Sequence, residues 1–236
     1  STTIESSEII KYASNSFLAT KIGFINQIAD LCEAAGGNIQ DVAKAMGIDD
    51  RIGSKFLEAG PGFGGSCFPK DVKAFLATAK KYNIDFSIID AVNASNDVRP
   101  KKIADKILSI STMQSIEKIA ILGLSFKPNT DDIRDSTSLK IADLLLKKNI
   151  IVNCYDPVAM KNSKLHNNKL NYYNTAYDAC IKVDAIIIGT EWDEFKKLDF
   201  IKIKEKIHKP IIFDLRNIYN KENLVKLGYL YYGIGK

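Results

Sequence analysis

Residues 60–71 read Gly-Pro-Gly-Phe-Gly-Gly-Ser-Cys-Phe-Pro-Lys-Asp, and the rest of the chain is organised around them. Glycines at positions 60, 62, 64 and 65 allow the backbone to take positive φ and a ligand to approach closely. Cys67 follows the glycines, and Pro69 suits the first turn of a helix. An apolar stripe then recurs at helical spacing, at Val72, Phe75, Leu76 and Ala79. The pattern therefore predicts a glycine-rich loop that leads into a helix over residues 69–81.

The position of Cys67 just ahead of this helix indicates a reactive thiol. Backbone N–H groups and the macrodipole at a helix N-terminus favour a thiolate. Lys70 and Asp71 fall in the first turn, close to the sulfur. A nucleophile, a cation and a carboxylate on a glycine-rich loop predict covalent catalysis on an anionic ligand. The alternative is a loop with a small buried structural cysteine, and the flanking charges favour the catalytic interpretation.

Composition bounds the class of protein. The 236 residues suffice for one large or two ordinary domains, and 46% of them are hydrophobic. No apolar run approaches the ~20 residues of a membrane span, so no membrane association is expected. Residues 1–7 have neither the basic region nor the apolar core of a signal peptide, and the missing initiator Met predicts that the chain is part of something longer. The net charge of +5 is spread along the chain, which argues against a nucleic-acid partner.

The cysteines and histidines predict neither a metal site nor a disulfide framework. Cys32, Cys154 and Cys180 lie within apolar patterns and are interpreted as core residues. None of the four cysteines has CxxC spacing, and His166 and His208 are the only histidines. A reduced, cytoplasmic setting is the resulting expectation.

Before and after the loop, the first half of the chain has helical periodicity. Helices are predicted over residues 7–35, 39–46, 69–81 and 86–109. Ser6 or Ser7 is the expected N-cap of the first helix, and Pro100 must kink or restart the last. Lys11 and Asn15 are four residues apart and hence share a helix face, where they can donate hydrogen bonds to an oxyanion. On spacing alone, a solvated pair is the alternative.

Beyond residue 115 the period changes to that of an α/β domain. Short apolar or β-branched runs at 116–122, 150–154, 185–188, 211–213 and 229–232 alternate with helical stretches at 136–148, 176–182 and 200–207. This alternation predicts a parallel, doubly wound sheet with ligands at the carboxyl ends of its strands. The first strand ends in Gly123-Leu124-Ser125-Phe126-Lys127 instead of GxGxxG. The domain is therefore expected to be Rossmann-like without holding NAD in the standard way.

The run GFGGSCFPKD at 62–71 resembles the active-site signature of the UDP-glucose/GDP-mannose dehydrogenase family. Further matches lie at 8–15, 123–135, 190–195 and 213–216, so the resemblance spans nearly the whole chain. It implies an α/β protein in which an all-helical central dimerisation domain, residues 1–110, precedes a Rossmann-like nucleotide-sugar-binding domain, residues 111–236. The family's N-terminal NAD-binding domain, with its GxGxxG motif, is expected to be absent from this sequence.

The resemblance also implies a reaction. In the family, a cysteine attacks the aldehyde of a nucleotide sugar, and two hydride transfers to NAD turn UDP-glucose into UDP-glucuronate through a thiohemiacetal and a thioester. Cys67 matches the nucleophile, and Lys11 and Asn15 match the residues that hold the oxyanion. Asp71 matches the residue that handles water or proton transfer. The chain alone is expected to be inactive.

The resemblance carries over a set of ligand contacts as well. Substrate contacts are implied for Arg51, Glu58, Ala59, Gly60, Pro61, Gly62, Phe63, Gly64, Phe126, Lys127 and Arg216. The arginine matching Arg51 reaches the substrate of the neighbouring subunit, which implies a homodimer; an ordinary surface arginine is the alternative. Lys70 and Arg134 match residues that meet NAD, although a salt bridge between Arg134 and a neighbouring aspartate is also expected.

Two other functions remain open at this point. A sibling enzyme for a UDP-N-acetyl sugar or GDP-mannose would share most of these motifs, although FKPNTDDIRDS at 126–136 and TEWDEF at 190–195 favour UDP-glucose. A non-catalytic module for nucleotide-sugar binding and dimerisation is the alternative from a different class.

Overall fold

The computed structural model describes residues 2–236, which form a helical half followed by an α/β half. The first half contains α1 (Ile4–Ala35), α2 (Ile39–Gly47), α3 (Phe68–Lys81) and α4 (Ser87–Gln114). The strands of the second half are β1 (Lys118–Leu122), β2 (Ile151–Tyr155), β3 (Asn171–Tyr172), β4 (Ala185–Ile188), β5 (Ile211–Asp214) and β6 (Leu230–Gly233). Its helices are α5 (Thr137–Leu146), α6 (Met160–His166), α7 (Ala176–Ala179), α8 (Asp193–Lys196), α9 (Phe200–Lys204) and α10 (Lys221–Lys226).

The long helix α1 begins one turn earlier than its periodicity predicts. Thr3 is the N-cap, and its hydroxyl accepts the Ser6 N–H at 3.2 Å. The predicted cap at Ser6 or Ser7 is therefore wrong, because any of these hydroxyls can cap and Thr3 is the first to find extended backbone. At the other end Gly36 has a φ of 77°, which ends the helix as expected.

Helix α4 runs through Pro100 without interruption. Of the two outcomes predicted at Pro100, a kink or a restart, the restart does not occur, because both halves of α4 are packed against the rest of the protein. Ile89 and Val92, before the proline, pack against a cluster that includes Val72. Ile103 and Ile107, after it, are buried in the main core. This burial offsets the ~3 kcal/mol that proline costs inside a helix.

The six strands are parallel and lie in the order β3-β2-β1-β4-β5-β6. This is the order of a doubly wound Rossmann sheet, so the predicted fold class is confirmed. In register, Leu122 lies beside Tyr155 on one side and Ile188 on the other, and Ile188 lies beside Asp214. The carboxyl ends of the four central strands therefore meet at one edge.

The two halves share their main hydrophobic core. Ile25 and Ala29 of α1 belong to the same buried cluster as Ile107 of α4 and Ile119 of β1. The chain end adds a second connection, because the Gly235 carbonyl accepts the Ile39 N–H at 2.9 Å. The predicted domain boundary between residues 110 and 111 falls inside α4 and remains a prediction.

Sequence periodicity missed the short elements α6, β3, α8 and α10. They have 7, 2, 4 and 6 residues, too few to show a helical or alternating pattern. Across residues 2–236, no helix is both long enough and apolar enough to cross a membrane.

Candidate functional site

A cleft of about 450 Å³ lies between the glycine-rich loop and the carboxyl edge of the sheet. Eight residues with predicted substrate contacts line it: Glu58, Gly60, Gly62, Phe63, Gly64, Phe126, Lys127 and Arg216. Of the other three, Ala59 and Pro61 are buried within the loop, and Ala59 lines an adjacent cavity together with Glu58 and Arg216. The fold thus brings together residues that the sequence separates by more than 150 positions.

Two glycines of the loop are required by its packing against the sheet edge. Gly65 has a φ of +84°, and a Cβ there would enter the ring of Phe126. A Cβ on Gly64 would collide with the backbone carbonyl of Asp135. The Gly65 N–H also donates to the Arg134 carbonyl at 2.8 Å. The loop therefore lies directly against the segment that follows β1, which no larger residue would permit.

Cys67 occupies the N-cap position of α3, as the sequence predicts, and its side chain is exposed. Its carbonyl accepts the Asp71 N–H at 2.8 Å, and its sulfur lies 3.7 Å from the Ser66 hydroxyl. Gly64 and Phe68 on either side of it line the cleft. The thiol therefore stands where the loop leaves the cleft and α3 begins.

Asn15 and Asp71 form a pair beside this helix start. The Asn15 amide donates to Oδ2 of Asp71 at 2.7 Å, although the two residues are 56 positions apart in sequence. Asp71 is only 1% exposed, and its Oδ1 has no hydrogen-bond partner among the described residues. The Lys70 ammonium, which is solvent-exposed, lies 3.6 Å from that oxygen. Three of the residues singled out in the sequence are thus gathered here.

Lys11, Arg51 and Arg134 lie apart from the cleft lining. Lys11 is exposed one turn before Asn15, with its ammonium 5.7 Å from the centre of the Tyr12 ring. Arg51 is exposed and binds Asp49 through two nitrogens, at 3.0 and 2.6 Å. Arg134 forms the same two-nitrogen pair with Asp132, so the expected salt bridge is present. Their predicted contacts to ligand or partner remain predictions.

Arg216 ties three strand ends together. Its Nε donates to the Gly189 carbonyl at 2.9 Å, and its Nη2 lies 3.5 Å from the Phe126 carbonyl. Nε is also 3.1 Å from the Glu191 carboxylate, whose Oε2 is buried and lacks a well-aligned hydrogen bond. Glu191 lines the cleft, as its place directly after a strand end favours.

Asp156, which follows β2 and is fully buried, was not predicted from the sequence. Its Oδ2 accepts the N–H groups of Leu124 and Ser125 at 2.8 and 3.0 Å and lies 3.2 Å from the Trp192 indole nitrogen. Its Oδ1 accepts the Ala159 N–H at 2.8 Å. One carboxylate therefore holds the loops after β1, β2 and β4, and through them the Phe126–Lys127 side of the cleft.

Three further polar residues, Asn26, Asn96 and Arg99, contact the backbone of the glycine-rich loop. Asn26 and Arg99 are 2% and 4% exposed and bind Gly60. No local sequence pattern distinguishes these three residues, because their role depends on contacts across the folded chain.

We predict that Cys67 is the one thiol of the four that reacts with iodoacetamide or a disulfide reagent in the native state. Cys32, Cys154 and Cys180 are buried. Burial raises the pKa of Cys180 to about 12 and also raises the pKa of Cys154, which suppresses their thiolates. Counting modified thiols by mass before and after denaturation tests this. A second thiol that reacts at a comparable rate in the native protein, or a fast reaction that survives Cys67→Ser, would contradict it.

Comparison with known proteins places this geometry in a family. Residues 5–98 match the central domain of the UDP-glucose/GDP-mannose dehydrogenase family, and residues 120–221 match the UDP-binding domain of the same family. The chain belongs to this family. The sequence resemblance to these dehydrogenases is thereby confirmed over both halves.

Individual dehydrogenases of the family are also similar to this chain. The chain is 49% identical over 237 aligned residues to the UDP-glucose 6-dehydrogenase of Rickettsia conorii, covering 99% of this chain and 55% of that one. A UDP-glucose dehydrogenase structure from Pyrobaculum islandicum matches with a TM-score of 0.82 and 34% identity, over 96% of this chain and 50% of that one. The NDP-N-acetyl-D-galactosaminuronic acid dehydrogenase of Methanosarcina mazei matches with a TM-score of 0.87 and 26% identity, over 98% and 51%. The chain thus spans about half the length of each relative.

Proposed function

We propose that this chain supplies the UDP-sugar site and the catalytic thiol for the NAD-dependent oxidation of UDP-glucose to UDP-glucuronate. One observation carries the proposal: the loop that lines the cleft leads directly to the exposed Cys67, beside the Asn15–Asp71 pair. The match of residues 120–221 to a UDP-binding domain supports the choice of nucleotide.

The charges of the cleft suit a nucleotide diphosphate sugar. Lys127 and Arg216 supply cations for the diphosphate. Glu58 and Glu191 supply carboxylates, which accept hydrogen bonds from the hydroxyl groups of ribose or glucose. The Phe126 ring adds an apolar surface to the cleft. Binding is therefore assigned to side chains from both halves of the chain.

The proposed thiol chemistry proceeds in three steps. The sulfur of Cys67 adds to the C6 carbonyl of the sugar aldehyde, and the carbonyl oxygen takes a proton to give a thiohemiacetal. Loss of a hydride from that carbon, together with the proton of its hydroxyl group, gives a thioester. Water then adds to the thioester carbonyl, and the C–S bond breaks to release the acid and restore the thiol.

Asp71 and Asn15 fit the hydrolytic step. The unpartnered Oδ1 of Asp71 can accept a proton from water, while Asn15 holds the other carboxylate oxygen and so fixes the side chain. Lys11 and the Asn15 amide are the proposed donors to the oxyanion. The Lys70 ammonium lies 3.6 Å from Oδ1 and attracts the carboxylate electrostatically.

Each oxidation needs a two-electron acceptor, and NAD is the one proposed. The turn after β1 does not fit its pyrophosphate. Gly123 is packed directly against Thr190, and α5 begins only at Thr137, behind the Ser136 cap. No step is therefore assigned to NAD bound by this sheet, and Lys70 and Arg134 are proposed only as contacts from this chain to a dinucleotide held elsewhere.

A homodimer formed through the helical half is part of the proposal. Helix α1 leaves large apolar side chains exposed along its length, including Ile9, Ile10, Phe17, Phe24 and Leu31. A row of this kind on a helix is typical of a protein interface. Arg51, which is exposed on the same half, is the proposed contact to the neighbouring subunit's substrate.

A sibling activity on an N-acetylated sugar is the second candidate. It is favoured by the structural match to the Methanosarcina mazei enzyme, whose TM-score is the higher of the two structures compared. The identity to the Rickettsia conorii enzyme, at 49% against 26%, favours UDP-glucose.

Calorimetric titration of the chain with UDP, UDP-glucose, UDP-N-acetylglucosamine and GDP-mannose tests the proposed substrate. We expect UDP and UDP-glucose to bind and GDP-mannose to give no signal. Arg216→Gln should weaken UDP binding at least roughly tenfold, because it removes a charged donor from the cleft. Lys101→Gln, which removes a positive charge from the exposed side of α4, should leave the affinity unchanged.

Each outcome of this titration decides between the candidates. Binding of GDP-mannose alone would overturn the proposed substrate. Tighter binding of UDP-N-acetylglucosamine than of UDP-glucose would favour the sibling activity. Silence from all four ligands would contradict a nucleotide site formed by this chain.

A further inference from the structure

Two residues of the glycine-rich loop have both their backbone groups bound by side chains from the helices beneath. The Gly60 N–H donates to the Asn26 side-chain oxygen at 2.9 Å, and the Gly60 carbonyl accepts Nε of Arg99 at 2.6 Å. The Phe63 N–H donates to Oδ1 of Asn96 at 2.8 Å, and its carbonyl accepts Nδ2 of Asn96 at 3.0 Å. The loop is therefore held at two points, three residues apart, by side chains of α1 and α4.

Arg99 is the costly member of this arrangement, because its charged guanidinium is removed from water. Arg99 is 4% exposed, and burial lowers the pKa of its guanidinium against the opposing attraction of Asp30. Its Nη1 donates to Asp30 at 3.0 Å and reaches the Asn26 carbonyl at 3.3 Å. Burying a guanidinium is unfavourable unless hydrogen-bond acceptors and an opposite charge compensate for the lost water. The Gly60 carbonyl is one of these acceptors.

The hydrogen bonds at Gly60 and Phe63 determine which backbone N–H groups of the loop remain available to a ligand. Pro61 has no N–H, and the N–H groups of Gly60, Phe63 and Gly65 are already bonded. The N–H groups of Gly62 and Gly64 have no partner among residues 2–236, and both glycines line the cleft. Backbone N–H groups that are left without a partner are available to bind an anion.

We infer that Arg99, Asn26 and Asn96 are positioning residues for the reaction. They fix the backbone at Gly60 and Phe63. The Gly62 and Gly64 N–H groups then face the diphosphate of the nucleotide sugar, and the segment that leads from Phe63 to Cys67 has a fixed starting position. The identity of the ligand rests on the proposed function, whereas the positioning of the loop and of Cys67 does not.

The experiment compares Asn96→Ala with Asn93→Ala, a matched change one turn earlier on α4. The Asn93 amide bonds to Asp97 and does not touch the loop. Three quantities are measured on the 236-residue chain: the Kd for UDP, the rate of Cys67 alkylation by iodoacetamide, and hydrogen exchange at the Phe63 amide. Far-UV circular dichroism and the thermal midpoint report whether each variant is folded.

For Asn96→Ala we expect the Kd for UDP to rise at least roughly tenfold and Phe63 exchange to accelerate by a similar factor, because both hydrogen bonds to Phe63 are lost. The alkylation rate of Cys67 should change at least about threefold, since the sulfur follows the loop. Asn93→Ala should leave all three quantities within about twofold of the unmodified chain.

Arg99→Lys gives a second, independent variant. It keeps the charge but offers one donor group where the guanidinium contacts Gly60, Asn26 and Asp30 at once. Lys102→Ala is its control, because Lys102 lies 3.7 Å from the same Asp30 and does not contact Gly60. We expect Arg99→Lys, and not Lys102→Ala, to weaken UDP binding and alter Cys67 alkylation.

The inference is overturned if folded Asn96→Ala retains the UDP affinity and the Cys67 alkylation rate of the unmodified chain. Should Arg99→Lys fail to fold, Asn96→Ala decides alone. If the unmodified chain does not bind UDP, the proposed function fails, and the alkylation and exchange rates still decide whether these residues position the loop.

Discussion

Replacement of Cys67 by serine should abolish the formation of UDP-glucuronate, by a factor of roughly a thousand or more. A serine hydroxyl is a far weaker nucleophile at neutral pH than a thiolate, and its ester would not match the reactivity of a thioester. The assay uses a chain of full family length, made by joining the unmatched portion of the Rickettsia conorii relative to this chain. Acid formation is followed by chromatography, and UDP affinity should remain unchanged because Cys67 is exposed and outside the cleft lining.

Ser66→Ala is the matched control for this substitution. It removes a hydroxyl that lies 3.7 Å from the Cys67 sulfur and has no assigned role in the reaction. We expect it to retain acid formation within a few-fold. Undiminished UDP-glucuronate from Cys67→Ser would rule out the nucleophile assigned here and leave Cys67 as an exposed surface residue.

Gly65→Ala should weaken UDP binding about a hundredfold. Two costs add at this position. The φ of +84° is unfavourable for any residue with a Cβ, and that Cβ would occupy the space of the Phe126 ring. Phe126 must then leave its position in the cleft, and the hydrogen bond from Gly65 to Arg134 is disturbed. Calorimetry gives the affinity, and thermal unfolding should show a stability loss of about 1–3 kcal/mol.

Gly53→Ala separates these two costs. Gly53 also has a positive φ, of +68°, but its Cβ would meet no atom within 4 Å, and it does not line the cleft. It should lose stability by about 1 kcal/mol while binding UDP normally. Equal UDP affinities for Gly65→Ala and Gly53→Ala would show that the loop does not need to pack against Phe126.

Local patterns were sufficient for the fold class and for the position of Cys67. The strand cores were found because buried parallel strands are short, continuous apolar runs, and Ala185–Ile188 was predicted with its observed bounds. The glycine-rich loop and the start of α3 were found because glycine, cysteine and proline have strong positional preferences. These signals lie within a few residues of the feature they predict.

The features that escaped prediction depend on contacts across the chain. Nothing local to Asn15 reveals that its amide will meet Asp71, and Asn26 differs from other helix asparagines only in being buried. Asp156 is a single aspartate after a strand, and its role appears only when three loops converge on it. A single sequence carries no record of such pairings, so the supports of the site were visible only in the folded structure.

The unbroken course of α4 through Pro100 has a consequence for how the cleft fills. Because α4 joins the two halves and their main core is common, we expect the two walls of the cleft to move little relative to one another. A nucleotide can then enter an already shaped cavity, without waiting for these walls to close. Association with UDP should accordingly be a single kinetic phase, and crystals of the ligand-free chain should accept the nucleotide by soaking.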